Sequence, residues 1–147
     1  MPTIDDLISD FSLLEDWETR YQYLVELGER LPAMPEQLKT EENRVKACMS
    51  RVWTSAYRDP KDPDLIRFHG DCDTAIIKGV LALLIEVSSG HSAAEIAEMD
   101  FDRLFQQLEL AENLSPNRHV GIYAIVDQIK KQASEIGDEV TPDTAIF

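Results

Sequence analysis

Residues 50–69 read SRVWTSAYRDPKDPDLIRFH and predict a β-hairpin. Residues 50–58 alternate between two sets of side chains, as a strand with two distinct faces does, and residues 65–69 form a second extended run. Residues 59–64 contain two prolines and three aspartates, a composition typical of a turn. Because an isolated hairpin is only marginally stable, Arg44 to Lys46 are expected to add a third antiparallel strand.

Two helices are predicted before the hairpin. Thr3 is expected to cap residues 3–14, and Asp16 to cap a longer helix that ends before Pro32. The periodicity of the second helix predicts one apolar face, made of Trp17, Tyr21, Leu24 and Val25.

The helix that follows the hairpin is expected to be the buried centre of the domain. It begins at Asp73 or Thr74, reaches Val87, and is apolar nearly all round apart from Lys78. Three further helices are predicted over residues 92–99, 101–108 and 115–137. The first has a Ser92–Glu95 capping box, and the last begins with Ser115 and Pro116 and ends at Gly137.

The predicted fold class is α+β, with a small antiparallel three-stranded sheet and helices packed on one face. Residues 1–137 are expected to form a single domain, and residues 138–147 a C-terminal tail. The chain has 147 residues, enough for one core without disulfides or structural metal.

The charge balance excludes some classes of partner. The chain has 28 acidic and 14 basic residues, and a net charge of -14 repels the phosphates that nucleic-acid-binding proteins contact. The N-terminus is acidic and no apolar run reaches membrane-spanning length, so no membrane association is expected. These features predict a cytoplasmic protein.

Cys48 is the candidate reactive residue, because Arg44, Lys46 and Arg51 flank it in an otherwise acidic chain. Nearby cations lower the pKa of a thiol, and the thiolate is the nucleophilic form. The charges alone also fit an unreactive loop cysteine among solvated side chains, and that alternative stays open on this evidence.

The segment around Cys48 resembles the signature Asn-x-Val-x-Gly-Cys-x-Ser-x-Val-Trp of the SufE family, the sulfur-acceptor proteins of iron–sulfur cluster assembly. The matching residues are Asn43, Val45, Cys48, Ser50, Val52 and Trp53. Residues 26–32, 70–79 and 114–118 resemble three further family segments, and all four come in family order. Ala47 replaces the usual glycine, so the loop that holds Cys48 is expected to be stiffer.

The resemblance implies the SufE fold, which is similar to that of IscU-type cluster scaffolds. It implies that Cys48 takes persulfide sulfur from a pyridoxal-phosphate-dependent cysteine desulfurase of the SufS or CsdA type. The chain would also stimulate this desulfurase. A scaffold complex of the SufBCD type would receive the sulfur. On this interpretation the chain is a sulfur carrier rather than an enzyme and needs no cofactor, and a homodimer is possible.

Eight residues are expected to support Cys48 or to bind the partner: Arg44, Lys46, Ser50, Arg51, Trp53, Asp71, Asp73 and Arg118. Arg118 lies in the first turn of the last helix, where a cation faces the positive end of the helix dipole. It is expected either to pair with Asp71 or Asp73, or to reach the Cys48 site or the partner. A local surface ion pair is the alternative.

A second hypothesis is a metal- or cluster-binding scaffold that uses Cys48 and Cys72. Residues 69–73 read HGDCD, and a histidine, a cysteine and two carboxylates could ligate a metal with Cys48 or His119. The spacing is not that of a zinc ribbon or finger, and a third thiol ligand is missing, so no metal is predicted. Cys72 is expected to be a small residue before a helix. A thiol oxidoreductase with a Cys48–Cys72 disulfide is the third hypothesis, although it lacks a Cys-x-x-Cys motif.

Overall fold

The structure is a computed structural model that describes residues 4–47 and 50–138. Predictions that concern Thr3, Cys48 and residues 139–147 therefore lie outside the described residues. The elements in chain order are α1 (Ile4–Ser12), α2 (Trp17–Glu29), a 3-10 turn (Glu36–Leu38), β1 (Val52–Arg58), β2 (Ile66–Cys72), α3 (Ala75–Ser88), α4 (Ala93–Ala97), α5 (Phe101–Gln107), α6 (Leu110–Asn113) and α7 (Pro116–Asp138). The α+β class is confirmed.

The hairpin is confirmed, but the third strand is wrong. Strands β1 and β2 pair antiparallel, from Val52 opposite Cys72 to Arg58 opposite Ile66. Arg44 makes only an isolated bridge to Trp53, with one backbone hydrogen bond on each side of it. Turns at residues 41–43 and 46–47 bound this pairing, so the segment is too short to continue as a strand.

The helices pack on one face of the hairpin, as predicted. Alternate residues of β2, from Ile66 to Cys72, are buried, while those between them are partly exposed. On β1, Val52 and Thr54 are buried on the same face. Helix α3 contacts β2 and helix α7 contacts β1, so these two helices form the layer that covers the sheet.

Helix α3 is the buried centre, as its apolar composition predicts, because α2 packs against its other side. The two helices approach so closely at Gly79 that an added Cβ would lie 2.1 Å from the Leu24 carbonyl oxygen. The contact face of α2 therefore carries Leu24, Leu27 and Gly28. The prediction that Tyr21 belongs to this face is wrong, since Tyr21 is 37% exposed.

The predicted helix starts are largely confirmed. The Asp16 carboxylate accepts the Thr19 N–H at 2.7 Å, and Ser92 with Glu95 forms a complete capping box. Helix α6 was not predicted, and it follows Glu109, whose φ of 58° places it in the left-handed region. Within the described residues, no helix has an apolar stretch long enough to cross a bilayer.

Candidate functional site

The segment that carries Cys48 begins and ends in the core. Cys48 and Met49 lie outside the described residues, but Val45 and Val52 on either side are both buried. The Val45 N–H donates to the Val52 carbonyl at 2.8 Å. Residues 46–51, which we call the Cys48 loop, therefore connect two valines that are hydrogen-bonded to each other.

The downstream leg of this loop, residues 50–52, is fastened to the start of α3. The Ser50 hydroxyl lies 2.6 Å from the Thr74 hydroxyl, and the Arg51 N–H donates to the Asp73 carboxylate at 3.0 Å. The Asp73 N–H in turn donates to the Arg51 carbonyl at 3.1 Å. Ser50 and Asp73 are thus anchors of the loop. Thr74 occupies the N-cap position of α3, but its hydroxyl is used here instead of capping the helix.

The three predicted cations differ in their surroundings. Lys46 hydrogen-bonds to Glu41, and Arg44 lies 3.7 Å from the same carboxyl group. The hydrogen bond from Lys46 is the main reason why the pKa of Glu41 lies below its usual value. Arg51 is exposed and has no ion pair among the described residues. Much of the positive charge near the Cys48 loop is therefore neutralised, and Arg51 keeps its own.

Sequence reasoning missed Glu41, although the signal was present. Glu41 and Glu42 directly precede the signature, so counting charges two residues further upstream would have reduced the apparent cationic excess. Exposed pairs of this kind contribute little to folding. Their effect on a nearby thiol is more direct, because a carboxylate opposes the lowering of a thiol pKa by cations.

Asp71 forms an ion-pair cluster beside the loop. Its carboxylate lies 2.8 Å from the Lys39 ammonium and 3.4 Å from that of Lys78. Burial opposes ionisation of Asp71, yet the hydrogen bond from Lys39 and the Cys72 N–H hold its pKa below the usual value. Lys39 also sits 5.7 Å from the centroid of the Trp53 ring.

The Asp71 cluster joins segments from both sides of the loop. Lys39 follows the 3-10 turn, whereas Asp71 and Trp53 belong to the hairpin. The hydrogen bond to Asp71, followed by that to Glu36, raises the pKa of Lys39. Lys78 was identifiable as the charged exception in an apolar helix, but no pattern in the sequence pointed to Lys39.

Arg118 does not pair with Asp71 or Asp73. It is exposed in the first turn of α7, where its N–H donates to the Ser115 carbonyl at 3.0 Å. Asp71 is held by two lysines and Asp73 by the Arg51 backbone. Among the described residues, the Arg118 side chain has no ion pair, which leaves its guanidinium available to a partner.

The described residues of the metal hypothesis, which do not include Cys48, are not brought together. Cys72 is 7% exposed, and its sulfur accepts the Thr74 N–H at 3.4 Å. His69 lies on the opposite face of β2 and stacks on Tyr57 at 4.5 Å between ring centroids. The His119 ring contacts the Leu110 carbonyl. In the part of the chain that the structure describes, no group of histidine, cysteine and carboxylate side chains could hold a metal ion.

The geometry agrees with a comparison against known families. The model of the SufE family, described as an Fe-S metabolism associated domain, matches residues 5–133. The chain belongs to the SufE family. The match spans every element from α1 to most of α7, so SufE membership concerns the whole fold rather than the cysteine segment alone.

Two proteins named as uncharacterised SufE-like proteins are similar to this SufE-family chain. One is from Rhizobium etli and is 41% identical over 135 residues, covering 90% of each chain. The other is from Rhizobium meliloti and is also 41% identical over 135 residues, covering 90% of this chain and 96% of the relative. The SufE relationship thus extends over nearly the full length of this chain and of both relatives.

One solved structure is similar in fold. The solution structure of a hypothetical protein from Thermus thermophilus has a TM-score of 0.74 and covers 92% of this chain and 98% of its own. The two sequences are 21% identical. At that identity the similarity shows a shared fold and nothing more.

In this SufE-family chain, most described residues of the signature are anchors of the loop. Val45 and Val52 hold its ends, Ser50 holds α3, and Trp53 contacts Lys39. Asn43 binds the Leu38 carbonyl through its side-chain amide at 2.8 Å. The signature therefore encodes the support for the cysteine, in addition to the cysteine itself.

Proposed function

We propose that this SufE-family chain is a sulfur acceptor whose carrier group is the thiol of Cys48. The donor would be the persulfide of a pyridoxal-phosphate-dependent cysteine desulfurase of the SufS or CsdA type. The observation that carries the proposal is that residues 46–51 connect two buried, hydrogen-bonded valines and are fastened to α3. A loop anchored in this way presents a short segment to a partner from a fixed base.

The transfer step is an exchange between sulfur atoms. The Cys48 thiolate attacks the outer sulfur of the desulfurase persulfide, which forms a new S–S bond on Cys48. The S–S bond to the desulfurase cysteine breaks, and that cysteine leaves as a thiolate. No net oxidation occurs, because one persulfide replaces another. The rate depends on the thiolate fraction, on access and on the leaving group, as in thiol–disulfide exchange.

The residues around the loop would assist this step in two ways. Arg51 is exposed and has no ion pair among the described residues, so its charge is free to favour the Cys48 thiolate. Arg118 is also exposed and is a candidate contact for the acidic groups of a partner. The chain would need no cofactor, since the pyridoxal-phosphate chemistry belongs to the desulfurase.

The wider part of the proposal concerns where the sulfur goes. Stimulation of the desulfurase would follow from removal of its persulfide, which returns the enzyme to its reactive form. The loaded chain would pass sulfur to an assembly scaffold of the SufBCD type in the cytoplasm. The family is associated with iron–sulfur metabolism, and delivery of sulfur to a scaffold would explain this association chemically.

Intact-mass spectrometry after incubation with a desulfurase and cysteine tests the proposal. The wild-type chain should gain the mass of one or more sulfur atoms, and Cys48→Ser should gain none. Cys72→Ser is the matched control, because it removes the chain's other thiol, which is buried, and it should load like the wild type. Equal loading of Cys48→Ser would overturn the assignment.

A further inference from the structure

Two glutamines of α7 bind the segment that leads into the Cys48 loop. Gln128 and Gln132 are four residues apart, so they lie on one face of the helix. Their amides contact Asn43 and Thr54. We call these four residues, Asn43, Thr54, Gln128 and Gln132, the Gln clamp.

Gln128 acts as a double donor in this cluster. Its side-chain NH₂ donates to the Asn43 carbonyl at 2.7 Å and to the Thr54 hydroxyl oxygen at 2.9 Å. The Asn43 carbonyl also accepts the Thr54 N–H at 2.9 Å. Both acceptor positions of this carbonyl are therefore used, one by β1 and one by α7.

Gln132 both donates and accepts. Its NH₂ donates to the Thr54 carbonyl at 2.8 Å, and its amide oxygen accepts the Thr54 hydroxyl proton at 2.9 Å. A longer contact of 3.5 Å joins its NH₂ to the Asn43 side chain. Thr54 is fully buried, so each of these bonds replaces a water contact that Thr54 cannot make.

The clamp compensates for a weak sheet contact. Residues 43–45 pair with β1 only through an isolated bridge and have turns on both sides. Helix α7 therefore supplies hydrogen bonds that a longer strand would have supplied. Satisfied networks of buried polar groups fix one arrangement more strictly than apolar packing does.

We propose that Gln128 and Gln132 are positioning residues for the Cys48 loop. This inference rests on the proposed function and adds to it that α7, which is distant in sequence, sets the position of the upstream leg. Loss of the clamp would lower the fraction of molecules whose loop is ready for the desulfurase. An acceptor with a smaller competent fraction shows a proportionally weaker apparent affinity for its partner.

Gln128→Leu and Gln132→Leu test the proposal in sulfur-transfer assays over a range of acceptor concentrations. The concentration for half-maximal transfer should rise about tenfold if the competent fraction falls to a tenth, with the maximal rate little changed. Alkylation of Cys48 by iodoacetamide should stay at the wild-type rate, because a small reagent needs only the thiolate. Gln107→Leu, at an exposed position of α5, is the matched control and should match the wild type in both assays.

A third measurement, amide hydrogen exchange, tests the Gln clamp without a sulfur-transfer assay. The amide hydrogens of Val45 and Thr54 donate across the bridge, and both should exchange faster in the leucine variants than in the control. This result is independent of the proposed function, so a wild-type chain that fails to load sulfur would not obscure it.

A milder substitution keeps the proposal testable if a leucine variant does not fold. Gln132→Asn keeps an uncharged amide on a shorter side chain and weakens the bonds to Thr54 without removing the amide, so its half-maximal concentration should lie between those of the wild type and Gln132→Leu. Folded variants with wild-type half-maximal concentration and wild-type exchange would overturn the proposal. A loss of alkylation equal to the loss of transfer would also overturn it.

Discussion

The two legs of the Cys48 loop are held by different means. The downstream leg is bound to α3 by backbone pairing with Asp73 and by the Ser50–Thr74 hydroxyl contact, and it continues directly into β1. The upstream leg has only a short bridge to β1 and depends on side-chain amides from α7. One leg is part of the sheet, whereas the other is attached to it from outside.

This difference predicts different costs for side-chain changes in the two legs. A change to a side chain of the downstream leg leaves its backbone pairing in place, and water can replace the contact that is lost. A change to the upstream network leaves buried polar groups without partners, so it should lower stability as well as shift the loop. A threonine hydroxyl takes part in the support of each leg, Thr54 for the upstream leg and Thr74 for the downstream leg, which allows a direct test.

The largest expected effect comes from these two hydroxyls. Thr54→Val removes a fully buried hydroxyl and leaves both glutamines without a partner for one of their bonds, which should cost about 1–3 kcal/mol of unfolding free energy. Thr74→Val should cost less, since Thr74 is only partly buried and water can replace its contact with Ser50. Denaturant unfolding measures both. Equal losses would mean that burial of the network does not distinguish the two legs.

A smaller effect is expected from Asp71, which ties the two sides of the loop together through Lys39. The pKa of Asp71 is lower in the folded chain than in the unfolded chain. Its contribution to stability is therefore fully present above about pH 4, the unfolded value, and is lost as the pH falls through the folded pKa. The pair is partly exposed, so the contribution should not exceed about 1 kcal/mol.

Asp71→Asn should thus be less stable than the wild type at pH 7, and the difference should shrink as the pH falls below about 4. Asp10→Asn, at an exposed position of α1, controls for the removal of one charge. Thermal unfolding across this pH range provides the measurement. A difference that stays constant with pH would show that Asp71 acts through packing rather than through its charge.

The smallest expected effect concerns the rate of Cys48 alkylation near neutral pH. Arg51→Gln should slow it by about twofold, and Lys46→Gln by less, because Lys46 already shares its charge with Glu41. Glu41→Gln should have the opposite effect. Added salt should reduce all three differences, since exposed charges are screened over about 8–10 Å. Wild-type rates in every variant would assign these cations to partner docking or solvation instead.

The local elements of the fold were predictable because their signals are local. The hairpin follows from alternation and a proline-rich turn, the central helix from its apolar composition, and the Ser92–Glu95 box from spacing alone. Tyr21 was misplaced because the contact face of α2 is decided by Gly28 and Gly79, which let two helices approach. Periodicity in one helix does not report the residues of its neighbour.

The supports of the candidate site were less predictable. The signature pointed to the loop, and charge counting pointed to Arg44, Lys46 and Arg51. The contacts that hold the loop join residues far apart in sequence, such as Asn43 with Gln128 and Lys39 with Asp71. The sequence around a glutamine on a helix surface does not indicate which carbonyl the glutamine will bind. The packing of α7 against β1 is what brings Gln128 to the Asn43 carbonyl.

The hydrogen bond between Val45 and Val52 sets a limit on the partner as well as on the chain. Cys48 is three residues from Val45, and an extended chain spans at most about 3.3–3.6 Å per residue. Three residues of extended chain therefore reach at most about 10–11 Å from Val45 as long as this anchor holds. On the proposed function, the persulfide of the desulfurase would therefore have to come close to the surface around this anchor, either at a shallow depth or on a segment that extends toward the loop.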